Sequence, residues 1–331
     1  MARFKTLLTV SLAWLALAFI NCDVLAAPAK KIHFVAAGVP KEQGEKSDFD
    51  TIFGGLAKSG IDVFMPFSVY QEVPESRSLE YDAYFYPNHA KNKSAIDALH
   101  KHKIKILIPA EILYPDGVIP PIEKDPLKEY LKWVGTDSVF GVYSFDEPVQ
   151  NKRVAACKAL YERVKAIDPK IRVVMIHAPV SEYIVKSKEF SEYFKNLKSA
   201  SEYSDMVGFD IYAIPKDLMK VHGPYTGPST ILDYESALQQ HLRWLKENLP
   251  DKDHLMILQA FSLRDQGHNF LLAKLYGDRR PTKLEIQRMI QITTEANSSV
   301  GWWGQSLIKE KKSQFWKTIL NANQDASRSR R

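Results

Sequence analysis

Two hydropathy signals alternate along almost the whole chain. Short runs rich in β-branched and aromatic residues occupy positions 31–40, 61–70, 104–113, 139–148, 171–178, 205–215, 254–262 and 300–307. Their length and make-up predict buried strands. Between them, apolar residues recur at helical spacing over 50–59, 94–103, 126–135, 152–167, 189–203, 231–248, 282–298 and 313–323. Val154, Leu160, Val164 and Ile167 share one face of the fourth helix, as Leu242, Leu245 and Leu249 do in the sixth. Start signals agree: Asp125-Pro126, Asn151, and Thr282 followed three residues later by Glu285.

A strand, helix, strand alternation returns the chain to the same sheet edge, so the strands must pair in parallel. Eight such units in 331 residues predict an α/β fold, a single closed (β/α)8 TIM barrel. The open doubly wound sheet is the alternative, and it carries a Gly-rich first turn. Here the first strand ends Ala36-Ala37-Gly38-Val39-Pro40, without that turn, so no nucleotide cofactor is expected. No linker or second domain is visible. The expected organisation is a signal peptide over 1–26 and one barrel over 27–331, closing on the short basic tail Arg328-Ser329-Arg330-Arg331.

The leader has Arg3 and Lys5 ahead of a largely apolar run over 6–20, short for a membrane span, with Val24-Leu25-Ala26 as the cleavage site. It predicts a secreted or periplasmic protein with no membrane span after cleavage. The alternative, a lipid anchor on Cys22, is disfavoured by its flank Phe19-Ile20-Asn21, which lacks the expected small residue. Cleavage leaves Cys157 as a lone thiol in a helical pattern, a small buried apolar side chain and not half of a disulfide. The formal charge of +6 is spread thinly, with no basic stripe, so nucleic acid is not an expected partner.

In such a barrel the chemistry sits at the C-terminal strand ends. Four carboxylates fall there: Glu111 on strand 3, Asp146 and Glu147 on strand 4, and Asp210 on strand 6. Polar and aromatic residues accompany them, with Tyr70, Tyr114, His177, Tyr212, Gln259, Trp302, Trp303 and Gln305 as candidate substrate contacts. An acidic cleft with exposed ring faces suits an oligo- or polysaccharide, whose C–H faces stack on rings while its hydroxyls take hydrogen bonds. Hydrolysing its glycosidic bond needs one protonated and one ionised carboxyl, which mutual repulsion and burial supply at one pH. Alternation puts Val142, Ser144 and Asp146 on one face of strand 4, with Glu147 re-aimed where Pro148 ends the ladder. It puts Gly208, Asp210 and Tyr212 on one face of strand 6. Trp302 and Trp303, being adjacent, must point opposite ways.

The run Asp146-Glu147-Pro148 resembles the Asn-Glu-Pro signature of clan A glycoside hydrolases. Gln259-Ala260-Phe261, the stretch from Arg280 to Met289, and Gly301-Trp302-Trp303 are similar to uncharacterised glycosidase-like barrels of that superfamily. The resemblance implies a TIM barrel, a glycosidase activity, and the general acid/base role for Glu147. The chain departs from the family at strand 7, where Gln259 stands in place of the nucleophilic Glu, and at Asp146, where the family has Asn.

Strands 4 and 6 are two steps apart, about 9–10 Å. Side-chain reach then predicts Glu147 and Asp210 at about 6.5–9.5 Å, room for a water and an inverting reaction. In that scheme Glu147 donates the proton, Asp210 activates water, and Asp146 holds Glu147 or polarises the substrate. Substrate assistance by an N-acetyl group is a second route. A catalytically inactive carbohydrate-binding barrel explains the aromatics and Gln259 equally well. No metal site is expected: His33 and His177 stand alone on their strands, and His100 and His102 fall at a helix end.

Overall fold

The computed structural model describes residues 31–37, 49–66, 92–180, 190–266, 275, 277–303 and 314–328. Eight strands run in chain order around one closed barrel: β1 Phe34–Ala37, β2 Val63–Met65, β3 Lys105–Pro109, β4 Val139–Tyr143, β5 Arg172–His177, β6 Met206–Ile211, β7 Asp253–Gln259 and β8 Ser299–Trp303. Every neighbouring pair is parallel, and β8 closes on β1 with Ala37 opposite Trp303. The outer ring is α1 Phe49–Lys58, α2 Asn92–His102, α3 Pro126–Val134, α4 Val154–Ile167, α5 Phe190–Ser201, α6 Tyr234–Asn248, α7 Lys283–Glu295 and α8 Gln314–Arg328. None of the described helices is long and apolar enough to cross a membrane.

Period-2 alternation sorts the core into two layers. Val35, Val63, Leu107, Val174, Ile176, Leu255 and Ile257 fill the barrel interior. Phe53, Phe64, Leu160, Phe209, Leu245 and Trp302 form the larger shell between strands and helices. Inside, space runs out at Gly208: a Cβ built there would sit 1.5 Å from the Leu255 carbonyl oxygen. Only glycine lets β6 and β7 approach so closely.

The capping signals act as their chemistry dictates. Asp125 accepts from the Leu127 amide at 2.9 Å with Pro126 as first helical residue, and Thr282 and Glu285 form a reciprocal capping box. Asp125 also accepts from Tyr114 Oη at 2.7 Å and pairs with Arg163, which tethers the segment between β3 and α3 to α4.

The boundaries depart from the hydropathy pattern where side chains do something other than alternate. β3 ends at Pro109, and Glu111 lies in a short helical turn, Ala110–Leu113. β4 ends at Tyr143. Beyond it Ser144 turns its hydroxyl onto Cys157 of α4, 3.1 Å away, so the apolar run to Pro148 is a turn and not strand. α8 continues past 323 to Arg328, held by Gln324, whose amide donates to the Lys58 carbonyl at 3.0 Å.

Candidate active site

Glu111, Asp146, Glu147 and Asp210 meet at the C-terminal mouth. Asp210 gets there by parity: with Met206 and Gly208 it faces inward, while Val207, Phe209 and Ile211 join the outer shell. Asp146 and Glu147 are delivered by the turn after β4. Glu147 has φ of +41°, a left-handed conformation that a side chain adopts only when its surroundings enforce it. The enforcement is local. Pro148 disfavours the right-handed helical region for the residue before it, the Asn151 amide donates to the Glu147 carbonyl at 2.9 Å, and the Asn151 side chain donates to the Asp146 carbonyl at 2.9 Å.

That twist carries the Glu147 carboxyl across the mouth into a hydrogen bond with Asp210. A hydrogen bond between the two replaces the expected gap of about 6.5–9.5 Å. Two carboxyls can touch only by sharing a proton. Burial, then the neighbouring charge of Asp146, lifts Glu147 to about 7, against the opposing hydrogen bond from Asp210. Burial, followed by the charges of Glu147 and Asp146, holds Asp210 well above the usual carboxylate range. Asp210 Oδ1 is buried with no hydrogen-bond partner. Gln150 steadies the second Glu147 oxygen at 2.9 Å.

Asp146 sits beside this pair in a different environment. It accepts from Tyr143 Oη at 2.6 Å. Burial raises its pKa, while that hydrogen bond and the Arg153 charge pull it back. Glu111 accepts from Arg153 at 2.7 Å and from the Asp146 amide at 3.4 Å; burial, then the Asp146 charge, raises it. Tyr212 joins these acids, its hydroxyl hydrogen-bonded to Asp210 and its ring edge-on to Phe261 at 4.9 Å. Trp303 packs on the interior layer as well, opposite Gln259 of β7.

Several expected substrate contacts are turned elsewhere. His177 ends β5 on the outer face, bonded to Ser201 of α5 at 2.9 Å; burial drives its pKa down to about 3. Trp302 likewise faces outward and donates to Asn323 of α8 at 3.0 Å. Tyr114 is spent on Asp125. Val142 and Ser144 face the helices and not the mouth, leaving Asp146 without strand neighbours on its side. Tyr70 and Gln305 lie outside the described residues.

Gln259 faces inward, yet its amide is fully used by backbone. It accepts from the Ile214 amide at 3.0 Å and donates to the carbonyls of Ile214, at 2.6 Å, and Phe261, at 3.0 Å. The family's nucleophile position is therefore a structural clamp between β6 and β7. Gln259→Glu should lower stability by about 2–4 kcal/mol, since a carboxylate would face two carbonyl oxygens with no proton to give. A chemical melt near neutral pH checks it; an unchanged midpoint would contradict the clamp.

Two residues escaped the sequence reading. Tyr143 points into the mouth because the inward parity of β4 runs through Gly141 and Tyr143 instead of Val142; the glycine opposite the neighbouring backbone was the available signal. Arg153 precedes α4 by one residue, and nothing in the local pattern ties it to a glutamate 42 positions earlier. Among the described residues no group of three His, Cys, Asp or Glu is spaced to hold a metal ion.

No family model matches the chain, and no curated protein matches it in sequence. Solved structures do resemble it. An inferred α-L-fucosidase from Bacteroides thetaiotaomicron superposes with a TM-score of 0.54 at 11% identity, over 90% of this chain and 94% of that one. A β-galactosidase from the psychrophilic Marinomonas ef1 gives 0.53 at 10% identity, over 89% of this chain and 60% of the other. A β-methylaspartase from Clostridium tetanomorphum gives 0.50 at 11%, over 92% and 60%. This chain thus spans about 60% of the length of the latter two. At such identities the likeness is one of architecture: the chain has a closed (β/α)8 barrel, a scaffold common to the fucosidase-like, galactosidase and methylaspartase structures alike.

Proposed function

We propose that the protein hydrolyses a glycosidic bond, with the Glu147–Asp210 pair as the proton donor and Asp146 as the carboxylate that faces positive charge at the anomeric carbon. What carries this reading is the placement of three carboxyls at the barrel mouth: Glu147, lifted to about 7 and hydrogen-bonded to Asp210, stands beside Asp146, whose rise on burial is opposed by the Tyr143 hydroxyl at 2.6 Å and by the charge of Arg153. The carbon–oxygen bond to the leaving sugar breaks as the pair's proton moves to that oxygen. Water adds to the anomeric carbon, and its proton restores the pair. Direct contact between Glu147 and Asp210 leaves no place for the attacking water between them, so water approaches from outside the pair. Tyr143 holds Asp146 toward the substrate, and Tyr212 with Trp303 provides ring surface beside the acids.

A panel of aryl glycosides, read for rate and for the anomer released, tests the reaction class. No turnover on any member would leave the carbohydrate-binding barrel in its place. The pH profile tests the assignment. kcat/KM should fall on the alkaline side near pH 7, as the donor loses its proton. Asp146→Asn removes the second-largest cause of Glu147's elevation, so the alkaline limb should move to lower pH as well as losing height. A limb that stays in place would separate Glu147 from the titration.

A further inference from the structure

The turn that carries Asp146 has a brace on its β3 side. Arg153, one residue before α4, donates from Nη1 to Glu111 Oε1 at 2.7 Å, and the same oxygen accepts the Asp146 amide at 3.4 Å. Backbone ties fix where Arg153 starts from. Its amide donates to the Pro148 carbonyl at 2.7 Å, and its carbonyl accepts the Cys157 amide at 3.0 Å as α4 begins. Its guanidinium carbon lies 5.8 Å from the centre of the Phe145 ring. The side chain thus spans from the start of α4 to the short helical turn after β3. The Glu111 side chain is 18% exposed, against 42% for Arg153. A carboxylate so covered, with one oxygen shared between a guanidinium and an amide, has the build of a strut. Asp146 gets no such support from its own strand, because β4 ends at Tyr143.

We propose that Arg153 is a positioning residue for Asp146, acting through Glu111, and that Glu111 braces the turn without touching substrate. This rests on the glycoside reading above and adds the support of its charged group. Among the described residues, the groups facing Asp146 are Tyr143 from β4, Glu111 from the turn after β3, Glu147 from its own turn, Arg153 ahead of α4, and Asp210 and Tyr212 from the end of β6. Arg153 alone among them is positive, and its charge opposes the rise that burial imposes on Asp146. The two members of the ion pair therefore act on Asp146 in opposite directions. Losing the guanidinium leaves Glu111 charged near Asp146, which then holds its proton more tightly. Neutralising Glu111 frees the guanidinium for Asp146, which then holds its proton less tightly. A residue that only packs would move neither.

The test titrates Asp146 by carboxyl-carbon NMR in the full-length chain labelled at aspartate, its resonance assigned by its loss in Asp146→Asn. Arg153→Gln should move the titration to higher pH and Glu111→Gln to lower pH. Arg153→Lys, which restores the charge, should return most of the first shift. Movement in the same direction in the two neutral variants, or none, overturns the proposal. On aryl glycosides, Arg153→Gln should lower kcat about tenfold or more with KM within about twofold. A KM raised about fivefold or more by Glu111→Gln, with kcat kept, makes Glu111 a substrate contact and also overturns it. Opposed NMR shifts in a chain that cleaves no glycoside uphold the brace and refute hydrolysis; cleavage with unmoved titrations does the reverse.

Discussion

Glu147→Gln is expected to lower glycoside turnover by about 10²–10⁴-fold, the usual worth of a positioned general acid. It is also expected to make the folded protein more stable at pH 8. Both outcomes come from one cause. The fold lifts this carboxyl from 4.5 to about 7, burial being the larger contribution and the charge of Asp146 the next. A group whose folded pKa lies above its unfolded one binds its proton more tightly in the fold. Its contribution is therefore complete below about pH 4.5 and drains away as the pH rises to about 7. The loss at alkaline pH amounts to about 2–3 kcal/mol. Glutamine keeps the shape, carries no charge, and escapes the loss. The melting temperature of the variant should match that of the parent at pH 4 and exceed it by about 4–8 °C at pH 8. A side chain that is merely structural would lose stability at both. Parallel thermal melts and aryl-glycoside rates decide the matter, and a variant that is active, or that melts lower at pH 8, removes Glu147 from the role.

Gly208→Ala should be the most damaging small substitution in the barrel. The new methyl would lie 1.5 Å from the Leu255 oxygen and 2.6 Å from its carbonyl carbon, and both are backbone atoms that no rotamer change can move. β6 and β7 must part, or the ladder must shift. Overpacking of this kind exceeds the ordinary range for a point mutation, costing more than about 4 kcal/mol. The expected result is a melting temperature lower by about 10 °C or more and a marked loss of soluble yield. Because Asp210 lies two residues further along the same face, any folded remainder should also lose the alkaline limb at pH 7. Full retention of stability would mean that β6 and β7 stand further apart than described.

The barrel was legible because its signal is repeated eight times. Each strand and helix was weakly marked, but the alternation constrained them jointly, and Asp210 and Tyr212 fell on the inward face because β6 keeps strict parity around Gly208. The candidate site was legible only in part. Parity fails beyond a strand's last ladder bond, and β4 stops at Tyr143, so the orientation of Asp146 and Glu147 depends on a turn whose left-handed residue has no hydropathy signature. His177 and Trp302 are polar or aromatic residues near the right rim but on the outer face, where Ser201 and Asn323 satisfy them. Gln259 faces the right way and was misread for another reason: whether an amide serves a sugar or a backbone depends on Ile214, 45 positions distant in sequence.

The thiol of Cys157 lies directly beneath the turn that presents Asp146 and Glu147, receiving the Ser144 hydroxyl, and burial pushes its pKa up to about 11. While α4 stays seated it cannot react with an alkylating reagent; once the turn and helix lift, it can. The rate at which this one sulfur is labelled is therefore an intrinsic clock for opening of the acid pair's floor. A bound oligosaccharide that pins the rim should slow that clock, giving a reporter of occupancy that needs neither turnover nor an added chromophore.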